Sequence, residues 1–321
     1  MPFGRIPRFS PSFTPTEALL SARYLLRDGP DHEVVGKFEK EFASYIGAKH
    51  AVMVPSARYG FYLLLKALGV GEGDEVIVPA MTYFAIPAMV PLTGAKPVFA
   101  DIGLRTHVLD PAAFEAAITE RTKVVVPTHL FGTPCDMDAI NAIAKKHNIT
   151  VIEDCAQSTG ARYNLKRVGN LGDCAYYTFG LTKNITTLSG AMITTGDKAV
   201  ADSVRAAIEA GDFGDKGKLA KEVVTGLAMF VATHPKVYWA TVHPAVVIGN
   251  KLGKDPIHER FGEAERRYDT VPEKYQKNGK ARAVQAAVGL SQLNRIENLN
   301  GSRIRNGRSL DEALALSLIH I

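Results

Sequence analysis

Four short segments of this 321-residue sequence hold residue types that can do chemistry, and their order along the chain matters. TFGLTKN (178–184) places Lys183 shortly after an apolar, strand-like run, in a loop rich in Thr and Gly. A lysine held near a ligand and stripped of water favours its neutral amine, which is a nucleophile. A lone lysine is otherwise a surface cation. VIEDCAQ (151–157) puts Asp154 at the end of another apolar run, with Gln157 three residues on. Burying a carboxylate is costly unless a cation or a hydrogen-bond donor meets it. A protonated pyridine nitrogen would serve, with Gln157 reaching the opposite side of the same ring. The ordinary alternative is an Asp N-cap. Ser56-Ala57-Arg58-Tyr59-Gly60 stands where a strand gives way to a helix. Free amides at a helix N-terminus bind phosphate, and small Ser56 and Ala57 let it approach; a plain Ser cap needs no ligand. Met81-Thr82-Tyr83-Phe84 follows a further strand, where an aromatic either stacks on a planar heterocycle or joins the core.

Each signal is weak alone. A phosphate cradle, a stacking aromatic, a strand-end Asp and a later Lys, in that order, make a pyridoxal phosphate constellation.

The elements that must hold these residues alternate strand and helix from 50 to 196. HAVMVP (50–55), EVIVPA (75–80), KPVFADI (96–102), KVVVPTHL (123–130), TVIEDCA (150–156), DCAYYTFG (173–180) and AMITT (191–195) read as strands. They are almost continuously apolar, as strands covered by helices on both faces are. Helices are expected at YGFYLLLKALGV (59–70), MTYFAIPAMVPLTG (81–94), DPAAFEAAI (110–118) and DMDAINAIAKKH (136–147). The third opens on an Asp cap followed by Pro. This predicts a three-layer α/β/α fold with a mostly parallel central sheet and ligands beyond the carboxyl ends of its strands. The rhythm breaks after residue 210. GDFGDKGK (211–218) reads as a polar linker, and 223–249 is apolar but broken by Pro235 and Pro244. The expected division is 1–210 as the large cofactor-binding domain and 211–321 as an insertion plus part of a smaller domain. The 223–249 stretch is expected to pack on its own protein; contact with a membrane surface is the other reading. Residues 281–314 read as one long amphipathic helix.

Composition narrows the function classes. Hydrophobic residues make up 46% and charged residues 22%, which excludes a mainly disordered chain. Three cysteines, Cys135, Cys155 and Cys174, are too few and too irregular for a disulfide framework or a CxxC metal site, so no metal is expected. The start, MPFGRIPRFSPSF, lacks the apolar core of a signal peptide, so the expected location is the cytoplasm. The net charge of +5 is mild. The late basic residues Lys274, Lys277, Lys280, Arg282, Arg295, Arg303, Arg305 and Arg308 are taken as a solvated helix face, with no nucleic-acid partner.

At this point the sequence resembles the DegT/DnrJ/StrS family of sugar aminotransferases, of the fold type I group. The segments that carry the likeness are FEKEFASYIGAKHAVMVPSA (38–57), GDEVIVPAMTYFA (73–85), PTHLFGTPCDMDAI (127–140), VIEDCAQSTGA (151–161), TFGLTKN (178–184) and QAAVGLSQL (285–293). The resemblance implies that Lys183 binds the cofactor covalently and shuttles a proton, and that Asp154 pairs with the pyridine nitrogen. It puts Gln157 near the ring hydroxyl and Tyr83 on the ring face. Ser56, Ala57 and Thr178 fall at the phosphate. Asn278 matches an Asn that reaches the neighbouring subunit's phosphate, which implies a homodimer with shared sites. The substrates implied are an amino-acid donor, glutamate, and a keto-sugar nucleotide or related cyclic ketone. A dehydratase of the same family would carry His in place of Lys183. A non-catalytic cofactor-binding or regulatory homologue is the alternative of another class. Arg58 stands where the family has Thr, and 27–39 lacks the family's Thr-Gly-Pro loop near the sugar. Family chains continue into a small C-terminal domain with further strands, whereas DEALALSLIHI (311–321) stops mid-pattern, so a C-terminal truncation is expected.

Overall fold

A computed structural model describes residues 10–26, 32–251 and 280–318. Its helices and strands run in the order α1 (Pro15–Leu26), α2 (His32–Ile46), β1 (His50–Val54), α3 (Ala57–Ala67), β2 (Glu75–Pro79), β3 (Lys96–Ala100), α4 (Pro111–Ala116), β4 (Thr122–Val125), α5 (Met137–His147), β5 (Thr150–Asp154), β6 (Arg162–Tyr163), β7 (Lys166–Arg167), β8 (Cys174–Thr178), β9 (Ala191–Thr195), α6 (Lys198–Glu209), α7 (Lys216–Ala232), α8 (His243–Lys251), α9 (Ala283–Leu293) and α10 (Ile296–Leu318).

Seven strands form one sheet in the order β1-β9-β8-β5-β4-β2-β3. The pairs β2–β3, β2–β4, β4–β5 and β5–β8 are parallel, while β9 runs antiparallel to both β8 and β1. The expected three-layer α/β fold with a mostly parallel sheet is therefore what the chain adopts. Alternation along each strand sorts the core into two layers. Val52, Val78, Val124, Ile152 and Tyr176 pack with α3 and α6 on one face. Ala175, Tyr177 and Met192 meet Phe38 and Phe42 of α2 on the other, where Val125 and Val151 pack with α5.

Two expected helices differ from the structure. In 81–94 only Pro87–Thr93 is helical, as a 3-10 turn. Pro87 stands at the start of that turn, where a missing N–H costs nothing, whereas Pro91 inside it lacks the N–H that an α-helix would use. Tyr83 and Phe84 consequently stand in an open loop. The 281–314 pattern is two helices, not one, with a break at Asn294 and Arg295. There the Arg295 guanidinium leaves the helix line to reach the Ser12 carbonyl and the Glu17 carboxylate, and Ile296 is buried. The linker reading of 211–218 also gives way early: Asp215 caps α7, which begins at Lys216.

In the 223–249 region, α7, a short helical piece at Pro235–Val237, a π-turn at Tyr238–Val242 and α8 follow one another. Leu219 and Gly226 face Phe13, where a Cβ on Gly226 would come within 2.8 Å of the ring. Val224, Val231, Trp239 and Ile248 are exposed. Among the described residues no helix is long and apolar enough to cross a membrane.

Candidate active site

Strand ends converge on one cavity of about 390 Å³, a volume typical of small-molecule sites. Its wall is built from Ser56, Ala57 and Arg58 at the start of α3, Tyr83 and Ile86 after β2, and Thr128 after β4. Asp154, Ala156 and Gln157 come from the end of β5, Tyr176 and Thr178 from β8, and Thr182 and Lys183 from the loop that follows. Seven of the eight residues singled out from the sequence are thus brought together. The eighth, Asn278, lies outside the described residues.

Local sequence explains each placement. Ser56 has extended backbone, and its Oγ accepts from the Tyr59 amide at 3.2 Å, so it is an ordinary N-cap that also faces the cavity. The α3 N-terminus therefore points its partial positive charge at this space. Tyr83 is 45% exposed, and its ring centroid lies 4.7 Å from that of Phe84. Gln157 is held by the loop after β4, where its Oε1 accepts from the Phe131 amide at 3.2 Å. Asp154 is buried at the last position of β5, opposite Tyr176 in the parallel register. Its Oδ1 accepts from the Ala156 amide at 2.9 Å. Burial pushes this carboxyl above its usual range, opposed by that amide, by the Tyr176 hydroxyl and by the charge of Lys183. Burial conversely lowers the Lys183 amine, while Asp154 raises it. The two groups feel one another across a partly desolvated space.

Tyr176 and Thr128 were not foreseen as site residues. Tyr176 is fully buried, and its hydroxyl lies beside the Asp154 carboxyl; burial and that carboxyl push the phenol well above its ordinary range. Period-two alternation could have found it, since Tyr176 shares a strand face with Thr178. The Thr128 hydroxyl lies 3.1 Å from that of Thr82.

Pyridoxal phosphate fits what is present. A buried carboxylate with its pKa raised, a desolvated amine and a helix N-terminus all face one cavity. A protonated pyridine ring with an aldehyde and a phosphate can satisfy such a set.

The opposite face of β5 carries a second polar group that sequence inspection missed. His129, Glu153 and Cys155 are buried with their donor atoms within 4.8 Å of one another, a spacing a metal could use. The hydrogen bonds give the cluster a different role. Glu153 accepts from the amides of Gly169, Leu171 and Gly172, each at 2.7 Å, and faces His129 Nε2 at 2.9 Å. His129 Nδ1 accepts from the Cys135 amide at 3.0 Å, so its proton sits on Nε2, towards Glu153. The carboxylate thus meets four donors and pins the 168–172 turn beneath Asp154. Glu153→Gln turns an NH2 towards donors and should lower unfolding stability by about 2–5 kcal/mol, measured by urea titration. Loss below about 0.5 kcal/mol would contradict this account.

The chain is similar to known proteins of one kind. The curated spore coat polysaccharide biosynthesis protein SpsC of Bacillus subtilis is 47% identical over 171 residues, covering 53% of this chain and 44% of that protein. GDP-perosamine synthase of Caulobacter vibrioides is 49% identical over 169 residues, covering 53% of this chain and 46% of that one. The chain thus matches about half the length of these relatives. Among solved structures, an aminotransferase from Psychrobacter cryohalolentis superposes with a TM-score of 0.74 at 29% identity, covering 97% of this chain and 69% of that one. Spr1654 from Streptococcus pneumoniae, solved in a PLP-form, gives a TM-score of 0.63 at 28% identity over 91% of this chain and 67% of that one. The sheet has the layout of fold type I, and residues 16–229 match the family's own pattern: the chain belongs to the DegT/DnrJ/EryC1/StrS aminotransferase family.

Proposed function

We propose that this protein is a pyridoxal-phosphate-dependent aminotransferase that moves an amino group from an amino acid, glutamate, to a keto-sugar nucleotide or a related cyclic ketone. The observation that carries this is the meeting of Lys183 and Asp154 on one cavity that also holds the N-terminus of α3. The cofactor supplies an electron sink for the carbon that gains or loses a proton beside the amino nitrogen.

The chain's own residues do the rest. The amides of α3, the Ser56 hydroxyl and the small Ala57 hold the phosphate, with Thr178 beside them. Arg58 adds a charge-assisted contact at the same end. Asp154 would keep a proton on the pyridine nitrogen, Tyr83 would cover a ring face, and Gln157 would meet the ring hydroxyl. Lys183, as a free amine, would hold the cofactor through its aldehyde carbon, with the carbonyl oxygen leaving as water, and its amine would carry the proton at the carbon beside the amino nitrogen. Its lowered pKa serves both roles, since the amine is free nearer to neutral pH.

On this reading residues 1–210 form the cofactor-binding domain and 211–321 the insertion and part of a smaller one. The protein works as a cytoplasmic homodimer, with Asn278 reaching the neighbour's phosphate. GDP-perosamine synthase is named for a nucleotide-linked amino sugar, which supports the substrate class proposed here.

The test uses the visible absorption band of protein-bound pyridoxal phosphate. Glutamate should bleach it, and a 4-keto-6-deoxy sugar nucleotide should restore it while taking up nitrogen. A band indifferent to every amino acid would leave a cofactor binder without transfer and overturn the proposal.

A further inference from the structure

The side chains at the rim of the cavity come from two loops. One, 155–161, leaves β5 and carries Gln157; the other, 179–190, leaves β8 and carries Lys183. The parallel ladder between β5 and β8 ends at Asp154 and Tyr176, so the strands themselves do not fix the loops beyond it. Asn184 Nδ2 makes one long bond across them, to the Thr159 carbonyl at 3.5 Å, and a helix far along the chain supplies the shorter ones. Asn300 of α10 donates through Nδ2 to the Thr159 carbonyl at 2.9 Å. Its Oδ1 accepts from Nδ2 of Asn184 at 3.1 Å. One amide side chain thus bridges both loops, two residues beyond Gln157 and one beyond Lys183. Arg303, one turn further on, donates to the Asn184 carbonyl at 3.2 Å and to Asn300 Oδ1 at 3.4 Å.

The approach is close by construction. Gly160 has φ +90, and a Cβ there would meet Asn300 Nδ2 at 2.6 Å and the Tyr45 hydroxyl at 2.7 Å. Only a residue without a side chain lets α10 come so near in that backbone conformation. The helix is itself anchored at its start: Ile296 is buried, and Glu297 accepts from the Tyr45 hydroxyl and from Arg167, each at 2.8 Å. None of the cavity-lining residues belongs to α10, and α10 lies beyond the 16–229 family match.

We propose that Asn300 is a positioning residue that ties the Lys183 loop to the Gln157 loop and so sets the spacing of amine and amide across the cavity, with Arg303 holding the Asn184 end. Its consequence for catalysis rests on the cofactor reading above; the clamp does not. A displacement of about 1 Å at a reacting group costs on the order of 100-fold in rate, so a remote tether of this kind matters.

The test compares wild type, Asn300→Ala and Asn300→Asp as full chains. Amide hydrogen exchange in the cofactor-free proteins reads the clamp directly. Asn300→Ala should raise exchange in both 155–161 and 180–187 by about tenfold while leaving the core strands near wild type. Asn300→Asp keeps the acceptor for Asn184 but loses the donor to Thr159, so its rise should be confined to 155–161. That asymmetry is something a general packing defect would not produce. Pyridoxal phosphate dissociation should quicken by about tenfold in Asn300→Ala. Unchanged exchange in both loops of a folded variant overturns the clamp, as does a uniform rise over the whole domain. Loosened loops with unchanged cofactor release overturn the positioning role. Should Asn300→Ala fail to fold, the isosteric Asn300→Asp carries the comparison. Failure of wild type to bind pyridoxal phosphate would instead sink the function reading and leave the exchange result to judge the clamp.

Discussion

Lys183→Ala should yield a folded protein that retains no pyridoxal phosphate after borohydride reduction and denaturing gel filtration. Wild type should carry one reduced adduct, on the peptide containing Lys183. The substitution removes both functions proposed for the amine. Without covalent capture the cofactor is held by its phosphate and ring contacts alone. Without proton transfer the rate should fall by about 10²–10⁴-fold from that loss alone. Folding should survive, because the variant deletes a partly desolvated amine whose burial disfavours its charged form. Lys183→Arg is the sharper control, since it keeps a cation near Asp154 but cannot form the bond. An adduct of wild-type yield in Lys183→Ala would place the covalent site elsewhere and remove the centre of the proposed mechanism.

How much of this was legible in the sequence differs by element, for physical reasons. Strands buried on both faces announce themselves as apolar runs, so all seven strands of the main sheet were found to within a few residues. Capped helices such as α4 and α5 were equally plain, because Asp110 and Asp136 sit where their caps should be. The helix at 81–94 misled because its apolar residues suit a helix while Pro91, inside the turn, does not. The break at Asn294 depends on Arg295 reaching Glu17, a contact 278 positions away that no local pattern reveals.

The site shows the same division. Asp154 and Ser56 were readable because one ends a strand and the other caps a helix, and Lys183 because it stands in a Thr- and Gly-containing loop shortly after a strand. Tyr176 was hidden inside a strand, where an aromatic normally means core. The His129–Glu153 cluster was invisible because its partners are backbone amides of a turn. Asn300 was equally so, since a polar residue on a late helix looks like solvent-facing surface until its two bridging bonds are seen.

Asp154→Asn should separate the stability of the fold from the chemistry of the site. The side chain keeps its shape, and Oδ1 can still accept from the Ala156 amide. What is lost is the charge. Activity should drop by about 10²–10³-fold, the scale of removing one preorganised electrostatic partner. Two pH effects should accompany the loss, and their signs differ from a simple defect. Burial depresses the Lys183 amine and the Asp154 charge opposes that depression. Removing the charge should lower the amine further, so its modification by an amine-directed reagent in the cofactor-free protein should begin at lower pH than in wild type. The second effect concerns stability. Asp154 has a folded pKa raised above its ordinary value, so the folded state holds the proton more readily than the unfolded chain does. By linkage, its contribution is fullest in acid and is lost as pH rises from the ordinary carboxylate range through the raised value. Cofactor-free Asp154→Asn should therefore be at least as stable as wild type at neutral pH, with the difference closing in acid. Pyridoxal phosphate should reverse the order, because wild type gains more from a ligand it binds more tightly. Thermal unfolding with and without the cofactor across pH measures all of this. A variant less stable than wild type at neutral pH without cofactor, or equally protected by it, would mean that Asp154 serves the fold and not the pyridine nitrogen.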